Sequence, residues 1–267
     1  MNLKHLWAIV LRQIYLYRSS YTRTLSLFVW ITVDVFLWGF ITKYLNIINN
    51  RKTDFVILFL GAVLLWDFLA RVMYGIITAF FEDIWSRNFM NLFVTPIRLR
   101  EYISGLIISS ILTSSLALLL MLAIAITIFK LPVFLYGTPL ILYFFVLLLF
   151  GIALGIFAIS VVLRFGPSVE WVIWTIPAII SPFVGVFYPV KILPQWMQKV
   201  SAILPPTYIF ESMRTIIHYS HNDTKSLLTG ATLCFFYLAL AYILFRKTFS
   251  FCVKNGQIVK FSAENLS

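Results

Sequence analysis

Three charged residues stand inside long apolar stretches of the chain, where their charge is costly. Asp34 lies in the first stretch, and Asp67 and Arg71 lie four residues apart in the second. On a helix, this spacing lets a carboxylate and a guanidinium neutralise each other on one face. Charge inside a membrane usually faces a cavity or a partner, so these residues are candidates for polar points on a transport route. The alternative hypothesis is an ion pair that locks the first two helices together.

A second chemically capable group lies nearer the C-terminus. His218 and His221 are three residues apart, and Asp223 follows them. Imidazoles and carboxylates ligate metals, but in a polar loop they are more often only solvated, and we predict no metal site. The sequence contains no phosphate-binding GxxxxGK(S/T) loop, no glycine-rich dinucleotide loop and no Ser/His/Asp arrangement. We therefore predict no catalytic residue and no cofactor on this chain.

Composition places the chain in a membrane. Hydrophobic residues make up 61% of its 267 residues, charged residues make up 12%, and the mean hydropathy is +0.94. A soluble domain has about 25% charged residues. The apolar residues also fall in long blocks, as a bilayer requires, and the net charge of +11 is better explained by basic cytoplasmic loops than by nucleic acid. The predicted fold class is an all-α polytopic membrane protein.

Six apolar blocks are long enough to cross a bilayer, which takes about 20 residues. They cover residues 25–41, 55–80, 102–129, 138–163, 169–187 and 227–245. Pro177 and Pro182 interrupt the backbone hydrogen bonds of the fifth block and should bend it. A GxxxG pattern, Gly151 to Gly155, lets another helix approach the fourth block closely, and we interpret it as a packing feature.

Residues 1–20 differ from these blocks because basic residues interrupt them. One helical face is apolar and comprises Leu3, Leu6, Trp7, Val10, Ile14 and Tyr17. The other side carries Lys4, His5, Ala8 and Arg12. This pattern predicts a basic amphipathic helix that lies in the membrane interface. The alternative is the ragged start of a long first span.

The distribution of basic residues predicts the orientation of the chain. With the N-terminus inside, twelve Lys and Arg residues fall in inner segments and eight in outer segments. This excess favours cytoplasmic termini, although Lys43, Arg51 and Lys52 in the first outer loop count against it. We expect a multi-pass protein of the plasma (inner) membrane with both termini in the cytoplasm.

Residues 191–217, on the predicted outer side, are too polar to span the membrane, and their pattern predicts two short helices. The first follows Pro194 and has an apolar face of Trp196, Met197, Val200, Ile203 and Leu204. The second starts at Pro205 and Pro206, and its apolar face comprises Ile209, Phe210, Met213, Ile216 and Ile217. Neither can cross a core about 30 Å thick. Periodicity leaves two alternatives open, a hairpin that dips into the membrane and one that lies flat on its surface.

Two motifs, taken in order, resemble those of one transporter family. Residues 181–214 combine a proline-bearing span, an LP-x-W element at Pro194 and Trp196, and a P-x-x-Y element at Pro205 and Tyr208 with Arg214 downstream. In "EDIWSRNFMNLFVTPIRLREYISG", residues 82–105, a short helix ends at Thr-Pro and an acidic-aromatic pair opens the next span. With six predicted spans, this order resembles the permeases of ATP-binding-cassette (ABC) transporters of the type-2 exporter family.

The resemblance implies a function for the whole chain, residues 1–267, as one transmembrane permease domain. It implies the membrane subunit of an ATP-driven exporter, without enzyme activity of its own. Two copies, or this chain and a paralogue, would form the pathway, and a separate ATP-binding subunit would carry ATP and Mg. Cargo in this family includes drugs, polysaccharides, lipids and lipid-linked glycans.

The resemblance also implies two functional regions. Residues 82–96 correspond to the segment that contacts the ATPase, with Glu82, Asp83, Arg87, Asn88, Asn91, Leu92, Thr95 and Pro96 as candidates. The alternative for this segment is a solvated loop between spans. Residues 191–217 correspond to re-entrant helices of an outer gate between helices five and six, with Pro194, Trp196, Pro205, Tyr208, Glu211 and Arg214 as candidates.

Two other classes of function are alternatives to the exporter. A self-sufficient secondary transporter usually has an inverted repeat with paired broken helices, whereas proline-broken sequence occurs only in the fifth block. An integral membrane enzyme acting on lipids needs clustered catalytic residues at one membrane face, whereas the acidic residues here are dispersed. The residues themselves favour neither alternative.

Overall fold

The computed structural model describes residues 2–48, 55–219 and 224–256, which are predominantly helical and contain no strand. A π-helical turn, Val56–Leu60, leads directly into the third helix, and 3₁₀ turns lie at Val133–Tyr136, Pro167–Val169 and Val190–Ile192. The α-helices are α1 (Leu3–Ser19), α2 (Tyr21–Ile48), α3 (Gly61–Trp85), α4 (Phe89–Val94), α5 (Leu99–Thr127), α6 (Pro139–Phe165), α7 (Glu170–Ile180), α8 (Gln195–Ser201), α9 (Pro205–Tyr219) and α10 (Thr224–Lys254).

Helices α3 and α6 form the centre of the bundle. In their most apolar stretches, 72% and 78% of the residues are buried, against 22–28% in α2, α5 and α10. Large apolar side chains fill the core around them, among them Phe80, Tyr143 and Phe150. The two central helices are thus surrounded by protein, and the other three long helices leave a wide apolar face uncovered, as in a protein bathed in lipid.

The predicted GxxxG motif brings α6 against α3. A Cβ atom on Gly151 would lie 2.8 Å from the carbonyl oxygen of Leu69, and one on Gly155 would lie 2.9 Å from the Ile76 side chain. A side chain at Gly151 would therefore collide with backbone, and the predicted packing role is confirmed. Because both contacts advance in the same direction along the two helices, α3 and α6 are parallel.

Helix α10 runs parallel to α6 as well. The Cys234 thiol donates to the carbonyl oxygen of Val146 at 3.4 Å, and the Cys252 thiol donates to that of Leu163 at 3.0 Å. Since α6 and α10 start at the same end of the bundle, the chain must return to that end between them. The segment with α7, α8 and α9 makes this return.

The two ends of the bundle carry different short helices. Helix α4 joins the end of α3 to the start of α5, and we call this the α4 end. Helix α9 packs at the starts of α3 and α6, where Phe210 lies 6.3 Å from Trp66 between ring centroids and the hydroxyls of Ser212 and Tyr143 hydrogen-bond at 3.0 Å. We call this the α9 end.

The fifth predicted block is shorter than expected. Among the described residues, five helices are long and apolar enough to cross a membrane, and residues 167–180 form only a shorter apolar helix. Pro177 is accommodated inside α7, but the helix ends before Pro182, and Gly185 then adopts a φ of 71°. A proline cannot donate to the helical ladder, so the helix predicted over 169–187 ends at Ile180, and residues 181–188 form turns. Whether this segment crosses the membrane stays a prediction.

Helix α1 confirms the helical prediction but buries a different face. Its buried residues are Leu6, Ile9, Val10 and Gln13. Three residues of the predicted apolar face are instead 65%, 52% and 43% exposed, namely Leu3, Trp7 and Ile14. The helix packs along α5, where a Cβ atom on Gly105 would lie 2.6 Å from Ile9. The face is rotated because the polar side of α1 meets buried carboxylates, described below. Its place in the interface stays a prediction.

Candidate functional site

The short helix α4 is held to the bundle by its apolar side. Phe89 is 2% exposed and packs against Phe80 and Tyr102, with ring centroids 5.3 and 6.1 Å apart. Leu92 also packs against the core. The opposite side is exposed and carries Asn91, Val94, Thr95 and Pro96. Four of the eight predicted coupling residues thus belong to this anchored helix and its exposed end.

A strained turn joins α3 to α4. Arg87 adopts a left-handed φ of 55°. The amides of Arg87 and Asn88 donate to the carbonyl oxygens of Ile84 and Asp83, each at 2.9 Å. This is the pattern of a helix end that usually carries glycine at the left-handed position. Arginine occupies it here, with its side chain exposed next to α4.

Asp83 lies at the centre of a buried polar cluster rather than on the surface. Its carboxylate is 2% exposed and receives both terminal nitrogens of Arg12, at 2.6 and 2.8 Å. The Tyr102 hydroxyl donates to the same carboxylate at 2.7 Å. Burial lowers the pKa of Arg12, but hydrogen bonding and attraction to Asp83 outweigh it, so that this pKa is raised.

Two further carboxylates hold α1 in the same way. With the Gln13 amide oriented by its partners, its nitrogen donates to Glu82 at 3.0 Å and its oxygen accepts from Arg12 at 3.2 Å. Glu101, 2% exposed, accepts from the backbone amide of Asn2 at 2.6 Å and contacts the His5 ring at 3.0 Å. Glu82 and Asp83, predicted as ATPase contacts, therefore position α1 against the ends of α3 and α5.

The charged residues within the spans pair differently from the sequence prediction. Arg71 forms its ion pair with Asp34 of α2, at 3.7 Å, rather than with Asp67 one turn earlier on its own helix. Asp67 keeps one buried carboxylate oxygen without a hydrogen-bond partner. The pair joins the first two long helices, as the alternative hypothesis predicted. Arg71 thus lies between two carboxylates, and only Asp34 is close enough for an ion pair.

A small polar cavity opens beside Arg71. It has a volume of about 130 Å³, and its lining includes Tyr17, Tyr74, Thr78 and Ser114. The Ser114 hydroxyl is buried without a hydrogen-bond partner. A second cavity of about 350 Å³, lined mainly by apolar residues such as Ile14, Phe28 and Leu116, shares Tyr17 and Thr113 with the first. Polar and apolar space therefore adjoin between α1, α2, α3 and α5.

At the α9 end, the two predicted short helices are present. Helix α8 begins directly after Pro194, and α9 begins at Pro205. The predicted apolar face of α9 is confirmed for Ile209, Phe210, Met213 and Ile216, which are at most 8% exposed. The face predicted for α8 is not buried, since Trp196 is 62% exposed and Ile203 is 56% exposed. Met197, Val200 and Leu204 are half-buried, and the Trp196 ring lies 6.1 Å from that of Phe183, so this face is only partly covered by the protein.

Glu211 and Arg214 fasten α9 to the turn that follows α7. Arg214 binds Glu211 at 3.0 Å and donates to the carbonyl oxygens of Gly185 and Val186. Glu211 accepts from the backbone amide of Val190 at 2.8 Å. We call these two side chains and residues 185–190 the outer clasp. The predicted pair is confirmed, and its partners are backbone groups that the sequence did not reveal.

Further hydrogen bonds order the same region. The Tyr208 hydroxyl donates to the carbonyl oxygen of Ala202 at 2.7 Å and closes the turn between α8 and α9. Ser201 donates to Phe183 at 2.5 Å and ties α8 to the turn after α7. All six predicted gate residues therefore lie in one connected unit at the α9 end.

Some residues named in the sequence analysis lie outside the described part of the chain. They are His221 and Asp223, for which no metal site was predicted, and Arg51 and Lys52.

Comparison with known proteins identifies the family to which the chain belongs. No curated protein matches the chain. The family described as ABC-2 type transporter matches residues 4–218, a range that includes nearly all of α1, the buried carboxylates, α4 and the outer clasp. Its domain is a transport component without a nucleotide-binding domain. Since the match covers most of the 267 residues, the chain belongs to the ABC-2 type transporter family and is the membrane-spanning permease part of such a transporter.

Proposed function

We propose that this chain is the permease subunit of an ATP-driven ABC exporter. The observation that carries the proposal is the family match over residues 4–218. Two permease copies, identical or paralogous, form the pathway, and a separate ATP-binding subunit binds ATP and Mg and supplies the energy. The lack of a phosphate-binding loop in the sequence supports this division of labour.

The proposed contact with the ATPase is the exposed side of α4 with the turn before it. Val94 is 86% exposed, and an apolar side chain flanked by Arg87, Asn91 and Thr95 is typical of a protein contact with an apolar centre and a polar rim. Phe89 packs against Phe80 of α3 and Tyr102 of α5, so a displacement of α4 by the ATPase is transmitted directly to these two helices. Glu82 and Asp83 are not part of this surface; they bind Gln13 and Arg12 and so hold α1 against the end of α3.

The proposed topology has six crossings, with both termini in the cytoplasm of the plasma membrane. Its support is the parallel course of α6 and α10, which requires one crossing between them. Residues 167–180 extend about 21 Å at ~1.5 Å per residue, and residues 181–188 complete the distance to the α9 end. The α4 end is then cytoplasmic, in agreement with the inner excess of basic residues.

The α9 end is the proposed outer gate. Helices α8 and α9 are too short to span, and the apolar face of α9 packs on the starts of α3 and α6, which fits a re-entrant hairpin. The outer clasp couples this hairpin to the turn after α7, so α7 and α9 move together. For cargo, the polar cavity at Arg71 and its apolar neighbour favour an amphiphilic molecule, such as a drug, a lipid or a lipid-linked glycan.

Co-expression with the ATP-binding subunit encoded beside this gene tests the proposal. A tag on the permease should capture that subunit, and Val94→Asp should abolish capture because it places a charge at the apolar centre of the contact. Phe134→Asp is the matched control, since Phe134 is 98% exposed but lies at the other end of α5. Equal capture by both variants would exclude α4 as the contact. Failure of the unmodified chain to bind any such subunit would exclude the exporter and favour a self-sufficient transporter.

A further inference from the structure

Two grooves at the α4 end combine clustered cations with apolar walls. The first, of about 560 Å³, lies between α5, α6 and α10. Its cations are Arg98, Arg100 and Arg246, and its apolar side includes Ile103, Ile107, Ile156 and Tyr242. The second, also about 560 Å³, runs along α10 and is lined by Tyr242, Ile243, Arg246, Lys247, Ser250, Phe251 and Lys254. Tyr242 and Arg246 belong to both grooves, so the grooves adjoin along one ridge of α10.

Helical geometry explains why the cations gather there. On α5, the groove residues Arg100, Ser104 and Ile107 fall on one face, and Glu101 falls on another, where it binds α1. On α10, the shared residues Tyr242 and Arg246 are one turn apart. Glu101, in the first turn of α5, is therefore directed away from the groove, whereas Arg100 and Arg246 face into it.

The charged side-chain groups of these residues form no ion pair with a carboxylate in the described part of the chain, and Arg98 contacts Glu101 only through its backbone amide, at 3.1 Å. The described carboxylates at the α4 end are Glu82, Asp83, Glu101 and Glu170, and none of them lines either groove. Glu82, Asp83 and Glu101 are bound by α1, and Glu170 accepts from the Trp174 ring at 3.3 Å. Arg164 adds another positive charge near the second groove by lying 4.0 Å from the centre of the Phe251 ring. The grooves are thus strongly positive.

The length of α10 places the cations at the height of lipid headgroups. Its apolar part, residues 227–245, extends about 28 Å at ~1.5 Å per residue, which matches a hydrocarbon core about 30 Å thick. Arg246 and Lys247 follow immediately, and Lys254 lies two turns further. The apolar walls formed by Ile103, Ile107 and Ile156 lie on the membrane side of the arginines. A ligand that fits must therefore be anionic at one end and apolar at the other.

We propose that these paired grooves bind an anionic phospholipid with two phosphates, of the cardiolipin class. One phosphate lies between Arg98, Arg100 and Arg246, the other between Arg246, Lys247 and Lys254, and acyl chains cover the isoleucines of the first groove. Basic pockets between membrane helices are suited to such headgroups. Arg246 lines both grooves and contacts both phosphates. A lipid with one phosphate can occupy only one of the two cationic groups at a time. Such a lipid would join α5 to α10, whose mutual groove it fills.

Lipid binding to the purified, delipidated chain tests this proposal without any ATPase subunit. Native mass spectrometry would follow titration with cardiolipin, phosphatidylglycerol and phosphatidylcholine of matched acyl chains, and with inorganic phosphate and glycerol 3-phosphate as soluble sources of the same headgroup chemistry. Cardiolipin should bind at least tenfold more tightly than phosphatidylglycerol. The triple variant R98Q/R100Q/R246Q should weaken cardiolipin binding roughly 100-fold, from about fivefold for each charge near the surface.

The matched control removes three cations at the other end of the bundle. Lys43, Lys191 and Lys199 are exposed, and K43Q/K191Q/K199Q should leave cardiolipin binding unchanged despite the same change in net charge. Equal loss in both triple variants would overturn the proposal, because it would show attraction by net charge alone. Equal binding of cardiolipin and phosphatidylglycerol would overturn the assignment of two phosphates. Saturable binding of soluble phosphate with no preference for lipid would overturn a lipid site.

A second measurement does not depend on the folding of any variant. A cardiolipin with a photoreactive group on an acyl chain, added to the unmodified chain in nanodiscs, should label residues 103–107, Ile156 or Tyr242, which form the apolar side of the first groove. Labelling spread over α2 and the other exposed helices, with no enrichment in these segments, would contradict the proposal. Because neither experiment includes ATP or a partner, failure here would leave the exporter function intact.

Discussion

The Arg12–Asp83 pair should contribute a large part of the stability of the α4 end. Arg12→Met keeps the aliphatic part of the side chain but leaves the Asp83 carboxylate, 2% exposed, without its cation. Loss of one partner of a buried ion pair costs about 3–5 kcal/mol. Asp83 keeps the Tyr102 hydroxyl and Arg12 is itself 26% exposed, so we expect the lower figure, about 3 kcal/mol of unfolding free energy.

Thermal unfolding in detergent measures this cost. For a chain of this size, each kcal/mol lowers the Tm by roughly 2–4 °C, so Arg12→Met should lower it by about 6–12 °C. Asp83→Asn should cost less, because the partly exposed Arg12 keeps Gln13 and gains water. The double variant should be less destabilised than the sum of the two single variants by at least about 1 kcal/mol.

The control is Arg18→Met, in the same helix. Arg18 is exposed, so its loss should change the Tm by less than about 2 °C, since surface substitutions change stability by about 0.5 kcal/mol or less. If Arg12→Met matched this control, or if the two single variants of the pair were additive within about 0.5 kcal/mol, the pair would not hold α1. The account of α1 as an anchored element would then fail.

Three further predictions follow from the packing and the charges. Gly151→Ala should destabilise the protein by about 1–3 kcal/mol in thermal unfolding, because a Cβ there would lie 2.8 Å from backbone; a Tm equal to that of the unmodified chain would refute the close packing of α3 and α6. Arg71→Met should lower the Tm more than Asp34→Asn, because it leaves the carboxylates of both Asp67 and Asp34 without a nearby cation. A larger loss of Tm in Asp34→Asn would refute the pairing. Arg87→Gly should raise stability by up to about 1 kcal/mol by relieving the left-handed conformation, yet weaken ATPase stimulation; unchanged stimulation would show that the Arg87 side chain takes no part in coupling.

The sequence predicted the helices well where the signal is local. The apolar blocks, the proline starts of α8 and α9, the GxxxG contact and the Glu211–Arg214 pair all depend on residues within a few positions of one another. The length of α7 was not predictable in the same way. Pro177 and Pro182 look alike in sequence, but the first fits inside the helix and the second follows its end.

The sequence revealed less of the candidate site, because its partners are distant along the chain. Arg12 and Asp83 are 71 residues apart, and no local pattern joins them. A clue was present in Gln13, a polar residue that continues the apolar stripe of Leu6, Ile9 and Val10, which indicates a polar partner opposite that face. The acidic-aromatic pair Glu101 and Tyr102 belonged to a recognised motif, but its role as a receptor for α1 needed the structure.

The central claim is that this chain is a permease driven by a separate ATP-binding subunit. Its most direct test is the ATP hydrolysis rate of the co-purified complex in nanodiscs, compared with that of the ATP-binding subunit alone and of the complex carrying Arg87→Gly. We predict a complex with two permease copies whose ATP hydrolysis exceeds that of the isolated subunit and falls in the variant. A permease that stays alone, or an ATP hydrolysis rate indifferent to its presence, would contradict the claim.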